Sequence, residues 1–103
     1  METMFYSGWR EMVTYSAEGP QPRALLDGEE LKVVVAGLKP GQLIPPHPES
    51  LGIFYFLEGS GWMTVAGKRL AVETGSTVIV PDGVARGLEA QTQLAFMATR
   101  VAS

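Results

Sequence analysis

Turn-forming residues recur along this chain at intervals too short for a long helix. Gly19-Pro20, Asp27-Gly28, Lys39-Pro40-Gly41, Gly59-Ser60-Gly61, Ala66-Gly67, Thr74-Gly75 and Pro81-Asp82-Gly83 each read as a chain reversal. Between them lie short runs rich in β-branched and aromatic residues: Leu31 to Leu38, Ile53 to Leu57, Trp62 to Val65, Arg69 to Val72, Ser76 to Val80 and Leu94 to Val101. Strands at this spacing predict an all-β sandwich or barrel. No window carries a capped helical period of ten or more residues. Glu11 to Tyr15 and Arg23 to Leu26 are further candidates for edge strands.

With 103 residues, the expectation is one domain spanning 1–103. Hydrophobic residues make up 46% of the chain, enough for a packed core. A net charge of −3 and a pI near 5.0, with Lys68-Arg69 the one adjacent basic pair, predict no nucleic-acid partner. No apolar run approaches the roughly 20 residues of a membrane helix, and the first residues carry no signal-peptide pattern. The expectation is a soluble cytoplasmic protein without a membrane partner. Cys is absent, so disulfides, thiolate metal sites and cysteine nucleophiles are excluded. There is a single His, His47, so no site can draw two histidines from one copy of the chain.

Residues 41–90 carry a more specific pattern. Gly41 is followed by five residues and then His47-Pro48-Glu49, and the run Tyr55-Phe56-Leu57-Glu58-Gly59-Ser60-Gly61 follows. Further on, Gly75, five residues, Pro81, one residue and Gly83 form a second frame. This arrangement resembles the two motifs of the cupin superfamily, over about half the chain. In the first motif a Gly and five residues precede His-any-His, then three or four residues, a Glu, six residues and a Gly. In the second, a Gly, five residues and Pro-any-Gly precede a His and an Asn. The resemblance implies a small double-stranded β-helix, a jelly-roll barrel.

The same resemblance implies a changed site. Family members bind a metal through two His and a Glu of the first motif and one His of the second. Here His47 takes the first position and Glu49 the second, the third falls on Gly52 or Ile53, and the fourth is Arg86. The Asn position is Ala90. Arg offers no lone pair and repels a cation. A 2-His-1-carboxylate site needs more histidines than the chain has. No cofactor is therefore expected. If a divalent metal binds, His47 and Glu49 are its ligands, and Glu58 and Glu89 have no spacing to recommend them.

His47 sits in Pro45-Pro46-His47-Pro48, a stiff extended backbone. Residues two apart on a strand share a face, so His47 and Glu49 should project together. Arg86 and Glu49 are expected to pair with each other in place of the metal, or Arg86 to clamp an anionic small molecule. By the same parity Phe54 and Phe56 should line the cavity with the site, and Gly52 should leave room there. Phe96, Met63 and Met97 are candidates to join them, although core packing is the simpler use of these side chains. The N-terminal aromatics Phe5, Tyr6 and Trp9 read as a cover for one barrel end or as part of a homodimer interface.

Three functions fit. The first is a non-catalytic binding or sensor module for a small molecule, with an anionic ligand suggested by Arg86, acting as a homodimer. Its ligand-binding residues would be His47, Glu49, Phe54, Phe56 and Arg86. The second is an enzyme, either metal-free with His47 as base and Arg86 as substrate clamp, or with an atypical metal site on His47 and Glu49. The third is a structural or interaction domain with a filled barrel.

Overall fold

The computed structural model describes residues 1–102. After a short 3-10 turn at Trp9–Glu11, nine strands follow: β1 (Arg23–Asp27), β2 (Leu31–Leu38), β3 (Leu43–Pro48), β4 (Leu51–Glu58), β5 (Ser60–Val65), β6 (Lys68–Glu73), β7 (Thr77–Val80), β8 (Ala85–Ala90) and β9 (Leu94–Val101). They form two antiparallel sheets, one ordered β1-β2-β9-β4-β7 and the other β3-β8-β5-β6. Their inner faces share one core that includes Val34, Leu38, Phe56, Met63, Leu88 and Leu94. This is the all-β barrel that the turn spacing predicts, in the jelly-roll form that the family resemblance implies. Among the described residues no helix is long and apolar enough to cross a membrane.

β4 shows how the pattern becomes structure. Its inward residues Phe54 and Phe56 are buried, whereas Ile53 and Tyr55 are exposed on the outer face. β2 breaks the alternation, because Val35 and Gly37 on its outer face are buried as fully as Ala36 and Leu38. The N-terminal segment supplies the cover. A Cβ on Gly37 would lie 2.6 Å from the Tyr15 ring and 2.7 Å from Val13, so only glycine leaves that slot.

The expected edge strand at Glu11 to Tyr15 is therefore corrected. Glu11 closes the 3-10 turn and Val13–Tyr15 form no ladder. Side chains hold this strap: the Tyr15 hydroxyl donates to Glu58 Oε2 at 2.8 Å, and Arg10 bridges to Glu58 Oε1 at 2.8 Å. Nearer the terminus, the Tyr6 hydroxyl donates to the Leu25 carbonyl at 2.7 Å, while Phe5 is exposed. The Arg23 to Leu26 run does form an edge strand, paired with β2.

Two strands, β3 and β8, carry no strand signal in their composition. β3 (Leu-Ile-Pro-Pro-His-Pro) contains three prolines, and β8 (Ala-Arg-Gly-Leu-Glu-Ala) has no β-branched residue. β3 lies at the edge of its sheet, where missing N–H groups are tolerated. Its pairing with β8 steps from Ile44↔Leu88 to His47↔Arg86, so Pro45 and Pro46 together oppose Gly87. This is a β-bulge, and a Cβ on Gly87 would come within 2.6 Å of the Ile44 carbonyl and 2.7 Å of the Pro46 nitrogen. Glycine is what lets the bulged prolines approach.

Candidate functional site

The bulge sets the aim of His47. By placing it opposite Arg86, it turns both residues toward the same cavity between the sheets. The cavity measures about 170 Å³ and opens to solvent at one end. Its walls are Val34 and Ala36 of β2, Ile44 and Pro45 of β3, Phe54 of β4, Leu88 of β8, and Phe96 and Ala98 of β9. His47, Glu49, Arg86 and Arg100 supply the polar groups. Phe54 and Phe96 pack at 6.0 Å between ring centroids with a 39° tilt, and Phe56 supports Phe96 from behind at 6.2 Å.

Arg86 is the buried charge of the core, 6% exposed. Its Nε donates to the Val84 carbonyl at 2.8 Å and its Nη1 to the Ser50 carbonyl at 2.8 Å. Its Nη2 donates to the carbonyls of Glu49 and Pro81, both at 3.1 Å. Four of the five N–H groups of a guanidinium are thus spent on backbone oxygens. Burial pulls its pKa below the usual arginine value, with the Glu49 carboxylate pushing back up. The fork ties β8 to the β3–β4 turn and to the turn after β7, where Gly83 (φ 79°) also donates to the Glu49 carbonyl at 2.8 Å.

These bonds correct two expectations. Arg86 does not pair with the Glu49 carboxylate; it holds that residue's backbone carbonyl. Nor does it present a free fork to a substrate, since only one donor is left. The Glu49 carboxylate instead lies 3.6 Å from His47 Nδ1 and 3.6 Å from Arg100 Nη1, both beyond hydrogen-bond range. His47 and Glu49 do come together as their spacing predicts, at the exposed rim, where the His47 side chain is 76% exposed.

The third ligand position is Gly52, which is buried on the inward face of β4 without lining the cavity, whereas Ile53 points outward. Gly52 leaves no open room: a Cβ there would lie 2.9 Å from Arg86 Nη1 and 3.0 Å from Phe54 Cε1. The Arg86 guanidinium fills the space that a side chain at Gly52 would need. Only two residues separate Glu49 from Gly52, whereas four separate His47 from it. Counted back from Gly52, then, the motif's spacing puts His47 at the second ligand position and Pro45 at the first. Pro45, His47, Gly52 and Arg86 offer one nitrogen donor among them. The residues present do not fit the family's metal. Among the described residues no three His, Asp or Glu side chains lie close enough to hold an ion.

The other candidates fall elsewhere. Phe54 and Phe96 line the cavity, but Phe56 and Met63 lie in the packed core below it, and Met97 is outward beside Tyr55. Glu58 is engaged by Tyr15 and Arg10, and Glu89 pairs with Arg69 at 3.6 Å, so neither reaches the site. Ala90 is core. Arg100 is the site residue that the motifs do not reveal, since it lies beyond the second one. Strand parity is the signal for it: Phe96, Ala98 and Arg100 share the inward face of β9.

Two antiparallel sheets wrapped around a cavity with its polar groups on β3, the β3–β4 turn, β8 and β9 define a small double-stranded β-helix protein. Residues 34–99 match the cupin domain family, and the chain belongs to it. Similar solved structures include a conserved protein of unknown function from Streptococcus pyogenes, 21% identical with a TM-score of 0.87 over 100% of this chain and 91% of the other. A double-stranded β-helix protein from Klebsiella pneumoniae is 22% identical, with a TM-score of 0.87 over 97% and 90% of the two chains. An RmlC-like cupin from Desulfovibrio desulfuricans is 22% identical, with a TM-score of 0.82 over 98% and 96%. At these identities the likeness extends to the fold alone. No curated protein matches the chain.

Proposed function

We propose that this protein is a non-catalytic binding module for a small molecule, held in the barrel cavity where family members keep a metal. The observation that carries the reading is an apolar cavity of about 170 Å³, walled by Phe54, Phe96, Ile44 and Leu88, beside a buried arginine whose donors go to backbone. An apolar cavity of about 150 Å³ is enough to hold benzene, so the volume suits a molecule with a single small ring. Small-ligand sites take this form, mostly apolar with a few polar groups at one end. His47 and Glu49 stand at the rim and meet the ligand's polar end. Arg86 shapes the cavity without gripping the ligand.

The test is a thermal-unfolding titration with phenol. A ligand that binds only the folded state stabilises it; at ten times its Kd the expected rise in Tm is roughly 5 °C or more for a domain of this size. Ala98→Val, which adds volume opposite Phe54, should reduce the shift. Absence of any shift in the parent protein, or an undiminished shift in a folded Ala98→Val, would count against the reading.

A further inference from the structure

Arg100 differs from Arg86 in one decisive respect. Among the described residues its guanidinium makes no hydrogen bond; its one charged contact is the 3.6 Å approach to Glu49. The side chain is 33% exposed and lines the cavity mouth, on the same face of β9 as Phe96 and Ala98 at the apolar end. Its cross-strand partner on β4 is Gly52, so no side chain from that position covers it. Arg86 contributes a second positive charge at this end of the cavity, and Glu49 is the acidic group that lines it. The lining at the mouth thus sets two guanidinium groups against one carboxylate, with an unspent fork at its edge. A guanidinium fork suits a carboxylate, which takes two parallel N–H donors.

We propose that the ligand is a small monocarboxylate with a flat apolar body, its carboxylate on Arg100 and its ring against Phe54 and Phe96. The inference rests on the cavity reading above and adds the ligand's charge and the residue that reads it. Size limits the class: the apolar part fills a space close to one benzene ring, leaving the carboxylate to project toward the rim. Glu49 shares Arg100 with the ligand and weakens its hold by like-charge repulsion.

The experiment is isothermal titration of the full chain with benzoate and with benzamide, a neutral molecule of nearly the same shape. Benzoate should bind at least roughly tenfold more tightly, a difference worth about 1.4 kcal/mol. Arg100→Gln should remove that preference by weakening benzoate far more than benzamide, which loses no charge pairing, and the benzamide binding that remains reports an intact cavity. Glu49→Gln should strengthen benzoate binding. Equal affinity for the two probes in the parent protein overturns the inference but leaves the cavity reading standing. So does a benzoate preference that survives Arg100→Gln, or a loss of benzoate affinity in Glu49→Gln. Binding of neither probe overturns both readings.

Discussion

Arg86 occupies a position where its family offers a metal ligand, and it takes over a structural share of the metal's work. A metal joins several strands through its ligands; the guanidinium joins β8 to two turns through four backbone carbonyls. Arg86→Met should cost about 3 kcal/mol of unfolding free energy, because bonds to a charged donor are lost and carbonyls are left unpaired. Arg86→Lys keeps the charge but not the fork, and most of that loss should remain. Chemical denaturation measures both, and a variant with parental stability would show that the strut is dispensable. The Glu49 carboxylate makes no hydrogen bond to Arg86, so a double-mutant cycle of Glu49→Gln with Arg86→Met should give a coupling below about 1 kcal/mol. Gly52 belongs to the same arrangement. A methyl group at that position meets Arg86 Nη1 at 2.9 Å, and Gly52→Ala should destabilise the fold by about 1–3 kcal/mol through overpacking.

At the scale of elements, two devices stand out: the bulge in β3 and the N-terminal strap. The bulge depends on Gly87, so Gly87→Ala should lower stability and disturb the β3 amides around His47, as an NMR amide spectrum would report. The strap depends on Glu58, which receives both Tyr15 and Arg10. Burial and the neighbouring carboxylate raise the Tyr15 pKa from 10.0 to about 12. Below pH 10 the phenol is protonated in both folded and unfolded chains, and its contribution is fully present. That contribution drains away as pH climbs from 10 to about 12, where the unfolded chain gives up its proton first. On the acid side, the Tyr15 hydroxyl and Arg10 hold the Glu58 pKa below its ordinary value of 4.5. Its contribution is present above that value and fades as pH falls through the lowered one. Tyr15→Phe should flatten the alkaline loss seen in urea denaturation between pH 10 and about 12; an unchanged profile would mean the strap is not held by this bond.

For the whole molecule, the barrel was legible because its signals are local. Turn residues punctuate β-branched runs, and Phe54 and Phe56 alternate with Ile53 and Tyr55 in a period that only a two-faced strand explains. Less of the site could be read. Glu49 and Arg86 both line the cavity, but whether they bond depends on where a three-proline strand bulges, and composition does not encode that. Val13 and Tyr15 look like strand residues, yet their place is set by a slot at Gly37 more than twenty residues away. Arg100 could be found only by counting parity along β9 from a strand already known to face inward. The central claim is that the cavity beside Arg86 admits a small aromatic molecule between the two sheets. The most direct measurement is a titration of phenol into isotope-labelled protein, followed through the backbone amides and methyl groups. Shifts confined to Val34, Ile44, Leu88, Ala98 and the amides of Phe54 and Phe96 are predicted. Shifts that avoid these residues, or none at all, would contradict the account.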